Sequence, residues 1–178
     1  MKKLGRCHTS QSKDWCTPPK IVKAVRRFFG GQIGLDPCSN YYSLVGAELS
    51  FMLPVYDGLA LPWDGHGSIF VNPPYGRDHE HGTTIYDWIK KCSISHVNNG
   101  CEVIALIPVA TNTAHWKEFV FPTAAAICFL KDTRLKFFEE GIESKKGAPM
   151  ACALVYWGTN PYEFDRIFET DFGAVVHL

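Results

Sequence analysis

The most informative run in this chain is Gly67-Ser68-Ile69-Phe70-Val71-Asn72-Pro73-Pro74-Tyr75. Its first five residues, 67–71, form a short apolar segment, which is typical of a strand buried within a sheet. Pro73 and Pro74 end the strand, because proline has no N–H group to give to a sheet ladder. The sequence therefore predicts a buried strand that carries Asn72 and Tyr75 at its carboxyl end.

The turn after this strand has the groups needed to hold a planar amine. The amine of adenine is a poor nucleophile because its lone pair is delocalised into the ring, and two acceptors aimed at its hydrogens would localise that pair. The Asn72 side-chain oxygen and the Pro73 carbonyl can supply them, and the Pro73-Pro74 backbone is stiff and lacks competing N–H groups. Tyr75 offers a flat face on which a flipped base can stack. The alternative is an edge turn in which Asn72 caps the next helix and Tyr75 packs locally.

The composition indicates one domain and no overall attraction to nucleic acid. The chain has 178 residues, of which 46% are hydrophobic and 20% are charged, and this suits one well-filled core. We expect a flexible segment over residues 1–13 and a single domain over 14–178. The 18 basic and 18 acidic residues cancel, so any contact with DNA must come from a local patch.

The cysteine and histidine patterns argue against disulfides and metal sites. The seven cysteines are an odd number, are widely spaced and include no Cys-x-x-Cys pair, so we expect reduced thiols in a cytoplasmic protein. His79 and His81 lie in a polar loop without a clear third ligand, which predicts no metal site. No run approaches 18 apolar residues and no apolar stretch follows the N-terminus, so neither a membrane span nor a signal peptide is expected.

Strands and helices alternate along the chain. A helix begins at Pro18-Pro19, has apolar residues at helical spacing and ends at Gly30-Gly31. The other predicted helices cover 84–96 and 113–121, and the other predicted strands cover 32–35, 49–53, 101–107, 125–130 and 151–157. This alternation predicts an α/β fold, with a mostly parallel sheet and an antiparallel hairpin at its edge.

Four motifs occur in order: Asp14-Trp15-x-Thr17-Pro18, Leu35-Asp36-Pro37-Cys38, Asp57-Gly58-Leu59 and Asn72-Pro73-Pro74-Tyr75-Gly76. Together they resemble the phage-type DNA N-6-adenine methyltransferase family, and the resemblance covers most of residues 14–157. It implies a Rossmann-like methyltransferase fold, S-adenosylmethionine as methyl donor, no metal, and site-specific methylation of adenine in DNA. It also points to a phage or prophage origin, and therefore to the cytoplasm of a bacterial host.

The resemblance implies a role for each motif. Asp36 would lie beside the methionine or ribose part of the cofactor, and Asp57 would accept from the amino group of its adenine. The implied cofactor-binding residues are Trp15, Thr17, Pro18, Asp36, Pro37, Cys38, Asp57, Leu59 and Asn72, and the implied catalytic residues are Asn72, Pro73, Pro74 and Tyr75. The chain departs from the general methyltransferase pattern, because it has no Gly-x-Gly in its first loop and no clear acid for the ribose hydroxyls.

A basic connection joins the last two predicted strands, and we expect it to contact DNA. Its cations, together with one residue beside the catalytic turn, are the predicted DNA-binding residues: Arg77, Lys131, Arg134, Lys136, Lys145 and Lys146. The alternative is an ordinary charged loop. No obligate protein partner is evident.

Two other functions compete with DNA adenine methylation. One is methylation of a different planar amine or amide, such as an RNA base or a protein glutamine. The other is a non-catalytic nucleic-acid-binding module that kept the methyltransferase fold. The intact turn Asn72 to Tyr75 argues against this alternative, and the missing Gly-x-Gly keeps it open.

Overall fold

The computed structural model describes residues 15–131 and 134–178. The predicted flexible segment 1–13 and Asp14 lie outside the described residues. Within the described ranges, no helix is both long and apolar enough to cross a membrane.

The described chain contains three α-helices, one wide π-helical turn and nine strands. The helices are α1 (Pro19–Phe28), α2 (Ile85–Asn99) and α3 (Pro161–Phe172), and the π-helical turn covers Trp116–Val120. The strands are β1 (Leu35–Asp36), β2 (Leu49–Ser50), β3 (Ser68–Val71), β4 (Glu102–Pro108), β5 (Ala126–Leu130), β6 (Phe138–Glu139), β7 (Ile142–Glu143), β8 (Cys152–Trp157) and β9 (Gly173–His177).

Seven strands form one mixed sheet in the order β2-β1-β3-β4-β8-β5-β9. The pairs β1–β2, β1–β3 and β3–β4 are parallel, whereas β8 is antiparallel to both β4 and β5, and β9 is antiparallel to β5. The predicted α/β class and the predicted mixture of pairings are confirmed. The antiparallel part is larger than an edge hairpin, because β8 lies inside the sheet.

Helices cover both faces of the sheet. Successive strand residues point to opposite faces, so Phe70 and Ile104 pack in the cluster that contains α1 and α3. Ile69 and Val103 pack in the other cluster, with α2 and the π-helical turn. The central strands β3, β4 and β8 are apolar on both faces for this reason.

The helix boundaries follow local sequence signals. α1 begins with Pro19 in its first turn and is followed by Gly30, which has a φ of 75° that suits glycine. α2 begins at a capping box in which Thr84 and Asp87 satisfy each other's backbone N–H groups, and it ends at Gly100, with a φ of 67°. Both helices therefore agree with their predictions to within a few residues.

Four elements were not predicted, and one was predicted as the wrong type. The hairpin β6–β7 lies inside the basic connection, and α3 and β9 follow the last predicted strand. The predicted helix at 113–121 is mainly the wide turn Trp116–Val120, in which the Phe121 N–H donates to the Trp116 carbonyl five residues earlier.

Candidate active site

The site lies where the strand order reverses. From β1 the chain moves to β2 on one side of the sheet and then returns to β3 on the other side of β1. In open α/β sheets, ligands bind outside the carboxyl ends of the strands at such a switch point. Asp36 is the last residue of β1 and Asn72 directly follows β3, so both side chains stand at this point.

A cavity at the switch point brings together five of the predicted cofactor-binding residues. It has about 220 Å³ of empty space, including the part open to solvent, and its lining residues are Trp15, Cys16, Thr17, Asp36, Cys38, Asn40, Ser43, Val45 and Asn72. The predicted residues Pro18, Pro37, Asp57 and Leu59 do not line it. Ser43 was missed in the sequence, where an isolated serine in a loop gives no signal.

Asp36 is a buried acid with an altered affinity for protons. Its side chain accepts from the Ser43 hydroxyl at 3.1 Å and from the Cys38 N–H at 3.3 Å. Burial raises the pKa of Asp36 from 3.8 to about 6, and the hydrogen bonds from Ser39, Ser43 and the Cys38 backbone oppose this only in part. A cationic or hydroxyl group of a ligand would stabilise the ionised form.

Thr17 contributes a buried hydroxyl that lacks a partner. The residue is 2% exposed, and its Oγ1 makes no hydrogen bond within the described part of the chain. An unsatisfied buried hydroxyl costs about 1–3 kcal/mol, so such groups usually have a bound partner. Because Thr17 lines the cavity, a polar ligand there would satisfy it.

Asn72 is held in one orientation by the segment before α1. Its Nδ2 donates to the Trp15 carbonyl at 3.1 Å. A carbonyl only accepts, so the amide nitrogen must face Trp15 and Oδ1 must face the other way. No hydrogen bond to Oδ1 is present among the described residues. Pro73 is buried beside it, whereas Pro74 is exposed.

Tyr75 belongs to an aromatic cluster with Trp15 and Phe137. Trp15 and Phe137 are stacked with their ring centroids 5.0 Å apart, and Tyr75 meets both rings edge-on at 6.4 and 5.9 Å. The Tyr75 hydroxyl donates to the Leu106 carbonyl at 3.2 Å, one residue beyond the last β3–β4 pair, Val71–Ala105. Burial raises the pKa of Tyr75 well above its usual range, so this hydroxyl stays protonated. Tyr75 therefore has a structural contact that the sequence did not reveal.

The Asp57 turn packs against the Asp36 loop. Asp57 Oδ1 accepts from the Leu59 N–H at 2.8 Å, which closes the turn. A Cβ added to Gly58 would lie 1.7 Å from the Pro37 carbonyl oxygen, so only glycine permits this approach. The two predicted acids consequently belong to adjoining loops, although Asp57 itself lies outside the cavity.

The comparison with protein families shows the family of the chain. Residues 6–168 match the family model described as DNA N-6-adenine-methyltransferase (Dam). The chain belongs to this family. Searches of the curated proteins and of the solved structures found no match. The predicted resemblance is confirmed, and membership of the Dam family makes this protein a methyltransferase that acts on adenine in DNA.

For a Dam family enzyme, the exposed cations near the site matter because DNA is polyanionic. Arg77, Arg134, Lys145 and Lys146 are exposed. Lys131 donates to the Thr170 carbonyl at 2.8 Å, and Lys136 lies 3.9 Å from the Glu143 carboxylate. Two of the predicted DNA-binding lysines thus have partners within the chain, which the sequence did not indicate.

The hairpin β6–β7 links this basic connection to the candidate active site. Cys16 and Phe138 exchange two backbone hydrogen bonds of 2.8 and 3.0 Å, and Trp15 Nε1 donates to Glu139 Oε1 at 2.7 Å. The stacked ring of Phe137 directly precedes the hairpin. The connection is therefore attached to the same segment that holds Asn72.

The loop after the turn Asn72 to Tyr75 contains the one group of three potential metal ligands in the described ranges: Asp78, Glu80 and His81. Asp78 accepts from the Glu80 backbone N–H at 2.9 Å and lies 3.0 Å from His81 Nδ1. These contacts form an ordinary polar turn on the surface. The loop carries no metal assignment.

Proposed function

We propose that this protein transfers a methyl group from S-adenosylmethionine to the exocyclic amine of an adenine flipped out of DNA. The catalytic unit would be a single Rossmann-like domain over residues 14–178. One observation carries the proposal: the oriented Asn72 amide and the buried Asp36 carboxyl line one cavity at the β1–β3 switch point.

The residues of the cavity fit S-adenosylmethionine. The Thr17 hydroxyl lacks a partner, and the hydrogen bonds of the Asp36 carboxyl offset its burial only in part. The cofactor offers both groups an ammonium group, hydroxyls and a carboxylate. The cavity would receive one polar part of the cofactor, and the Asp57 turn is available to the rest. The proposed cofactor-binding residues are Trp15, Thr17, Pro18, Asp36, Pro37, Cys38, Asp57, Leu59 and Asn72.

When bound, S-adenosylmethionine supplies a methyl group already activated by its sulfonium centre. The protein's task is to position and polarise the attacking amine. Asn72 Oδ1 accepts one amine hydrogen and the Pro73 carbonyl accepts the other, which draws the nitrogen lone pair out of the ring. Because Trp15 already fixes the Asn72 amide, this acceptor needs little reorganisation as charge develops.

Tyr75 would give the flipped adenine a surface to stack on, beside the Trp15 and Phe137 rings. The exposed cations of the basic connection would contact the DNA backbone. We propose a short recognition sequence that is read by these connections.

Methylation with labelled cofactor tests the proposal. The purified protein is incubated with methyl-labelled S-adenosylmethionine and either unmethylated DNA or RNA of the same sequence, and the nucleosides are separated after digestion. We expect label in N6-methyladenine from DNA, and about 10²-fold less with Asn72→Ala. Label found only in RNA, or only in protein, would support the competing methyltransferase functions. A protein that binds DNA but transfers no label would support the non-catalytic module.

A further inference from the structure

We infer that Lys91 is a positioning residue for the methyl-transfer reaction: it holds the turn Asp57-Gly58-Leu59 in the place where Asp57 meets the cofactor. The inference deepens the proposed function and rests on the proposed role of Asp57 toward S-adenosylmethionine. It makes Lys91 neither a cofactor ligand nor a catalytic residue.

The ammonium group of Lys91 is matched to three backbone carbonyls. Lys91 lies in the middle of α2, and its Nζ is 3.1 Å from the Gly58 oxygen, 2.8 Å from the Leu59 oxygen and 2.5 Å from the Leu61 oxygen. An ammonium has three N–H donors and no acceptor, so three carbonyls satisfy it completely. No carboxylate in the described part of the chain forms an ion pair with Lys91. The lysine thus binds the backbone of the turn and not an acidic side chain.

The surroundings of Lys91 make this arrangement rigid. Its Nζ lies 5.1 Å from the centre of the Trp63 ring, where a cation is attracted to the aromatic face. Trp63 Nε1 donates to the same Gly58 carbonyl at 2.8 Å. Gly58 also packs closely against the Pro37 carbonyl, so the turn contacts Lys91, Trp63 and Pro37.

The held turn carries an acidic side chain, Asp57, with one oxygen that does not take part in closing the turn. Asp57 Oδ1 accepts a hydrogen bond from the Leu59 N–H. No hydrogen bond to the second oxygen, Oδ2, is present among the described residues. A turn that had only to close would be served by Oδ1 alone. The negative charge of Asp57 raises the pKa of Lys91, while burial, the larger effect, lowers it. Lys91 therefore lies near Asp57 but does not form a direct ion pair with its carboxylate.

A pair of matched variants tests the inference. Lys91→Met keeps the stem that packs on Trp63 and removes all three donors, whereas Lys90→Met changes the exposed neighbour on the same helix. By calorimetry, we expect Lys91→Met to weaken S-adenosylmethionine binding about tenfold, a loss of about 1.4 kcal/mol, and Lys90→Met to leave it unchanged. In the DNA methylation assay, the KM for S-adenosylmethionine should rise while kcat at saturating cofactor stays close to normal. A lower unfolding temperature with unchanged cofactor affinity would reduce Lys91 to a structural residue and overturn the inference.

A double-mutant cycle with Asp57→Ala separates the inference from the proposed function. If Lys91 acts through Asp57, the double variant should bind S-adenosylmethionine no more weakly than Asp57→Ala alone. If Asp57→Ala weakens binding and Lys91→Met does not, the inference fails while the proposed role of Asp57 stands. If Asp57→Ala has no effect, that role and the inference fail together. If Lys91→Met does not fold, Lys91→Arg is used instead, because a planar guanidinium cannot direct three donors from one atom. We expect Lys91→Arg to bind S-adenosylmethionine about threefold more weakly. Normal binding by this variant would refute the inference.

Discussion

Two regions beside the same carboxyl edge of the sheet contrast in how they hold their polar groups. In the cavity, Thr17 and Asp36 are 2% and 3% exposed, and Asn72 is fixed through its amide nitrogen. In the basic connection, the side chains of Lys136 and Glu143 are 51% and 57% exposed and their charged atoms are 3.9 Å apart. The cavity holds individual polar groups in fixed positions, whereas the charged groups of the basic connection stay solvated.

The contrast corresponds to two kinds of work. Buried, preorganised dipoles act strongly on a reacting atom because water does not screen them. Solvated cations attract phosphates over several ångströms, and their effect falls as salt is added. We therefore expect substitutions in the cavity to change turnover and cofactor affinity, and substitutions in the connection to change DNA affinity alone.

Asn72→Ala should produce the largest effect. The variant loses the oxygen proposed to accept from the adenine amine, and removal of one preorganised hydrogen-bonding group typically lowers kcat by ~10²–10³-fold. Steady-state methylation assays measure the loss, and calorimetry should find cofactor binding largely retained. Near-normal kcat in a folded variant would remove Asn72 from the catalytic role and weaken the contrast between the regions.

Asp36→Asn should stabilise the protein without cofactor. The pKa of Asp36 is raised from 3.8 to about 6, so the folded state binds more protons than the unfolded state between these values. The wild type therefore loses stability as pH rises from about 4 to 6, by about 3 kcal/mol in total. Denaturant unfolding should find Asp36→Asn more stable at pH 7 by up to that amount and equal to wild type below about pH 4.

The same substitution should weaken cofactor binding. A ligand ammonium or hydroxyl loses a charged acceptor worth about 1.5–3 kcal/mol in Asp36→Asn. In the wild type, affinity should fall as pH drops below about 6, because Asp36 becomes protonated. Equal affinities at pH 5 and pH 8 would mean that the carboxylate does not contact the ligand.

Tyr75 variants should separate the ring from the hydroxyl. Tyr75→Phe keeps the stacking surface but leaves the Leu106 carbonyl without its donor, so we expect near-normal kcat and about 1 kcal/mol lower stability. Tyr75→Ala should in addition lose about 1–3 kcal/mol of base binding, measured with DNA that contains an unpaired adenine. Equal defects in DNA binding for both variants would refute stacking by the ring.

The smallest effects should come from the basic connection. Lys145→Ala should weaken binding to all DNA sequences and flatten the slope of log affinity against log salt by about one. The charge of Lys136 is partly offset by the nearby Glu143 carboxylate, so Lys136→Ala should change the slope less than Lys145→Ala. Fluorescence titrations at several salt concentrations measure both slopes. If neither slope differs from wild type, the connection does not touch DNA.

Local sequence signals were enough to predict part of this molecule. The helical spacing of Ile21, Val22 and Val25 predicted α1, and the apolar run before Pro108 predicted β4. The turn Asn72 to Tyr75 was placed correctly at the end of β3, because proline ends strands whatever their neighbours are. α3 also had a local signal, since Phe164, Ile167 and Phe168 follow Pro161 at helical spacing, but it was missed.

The remaining features depend on contacts between distant residues. The position of β8 between β4 and β5 follows from pairing between residues far apart in the sequence. The spacing of apolar residues does not report such pairing. The approach of Gly58 to Pro37 and the lack of a partner for Thr17 are properties of the assembled loops. The motifs named the residues of the site, whereas only their packing distinguishes Asp36, which lines the cavity, from Asp57, which does not.

The central position of β8 has a consequence for how the chain is made. Cys152–Trp157 separates β4 from β5 in the sheet but follows both in the chain, and β9, the other neighbour of β5, comes later still. A growing chain folds from its N-terminus. When synthesis has reached residue 151, β4 therefore has one unpaired edge, and β5 has neither of its neighbours, β8 and β9. Unpaired strand edges are templates for joining other chains. Translation that stops before Cys152 would therefore yield an aggregation-prone fragment in place of a smaller enzyme.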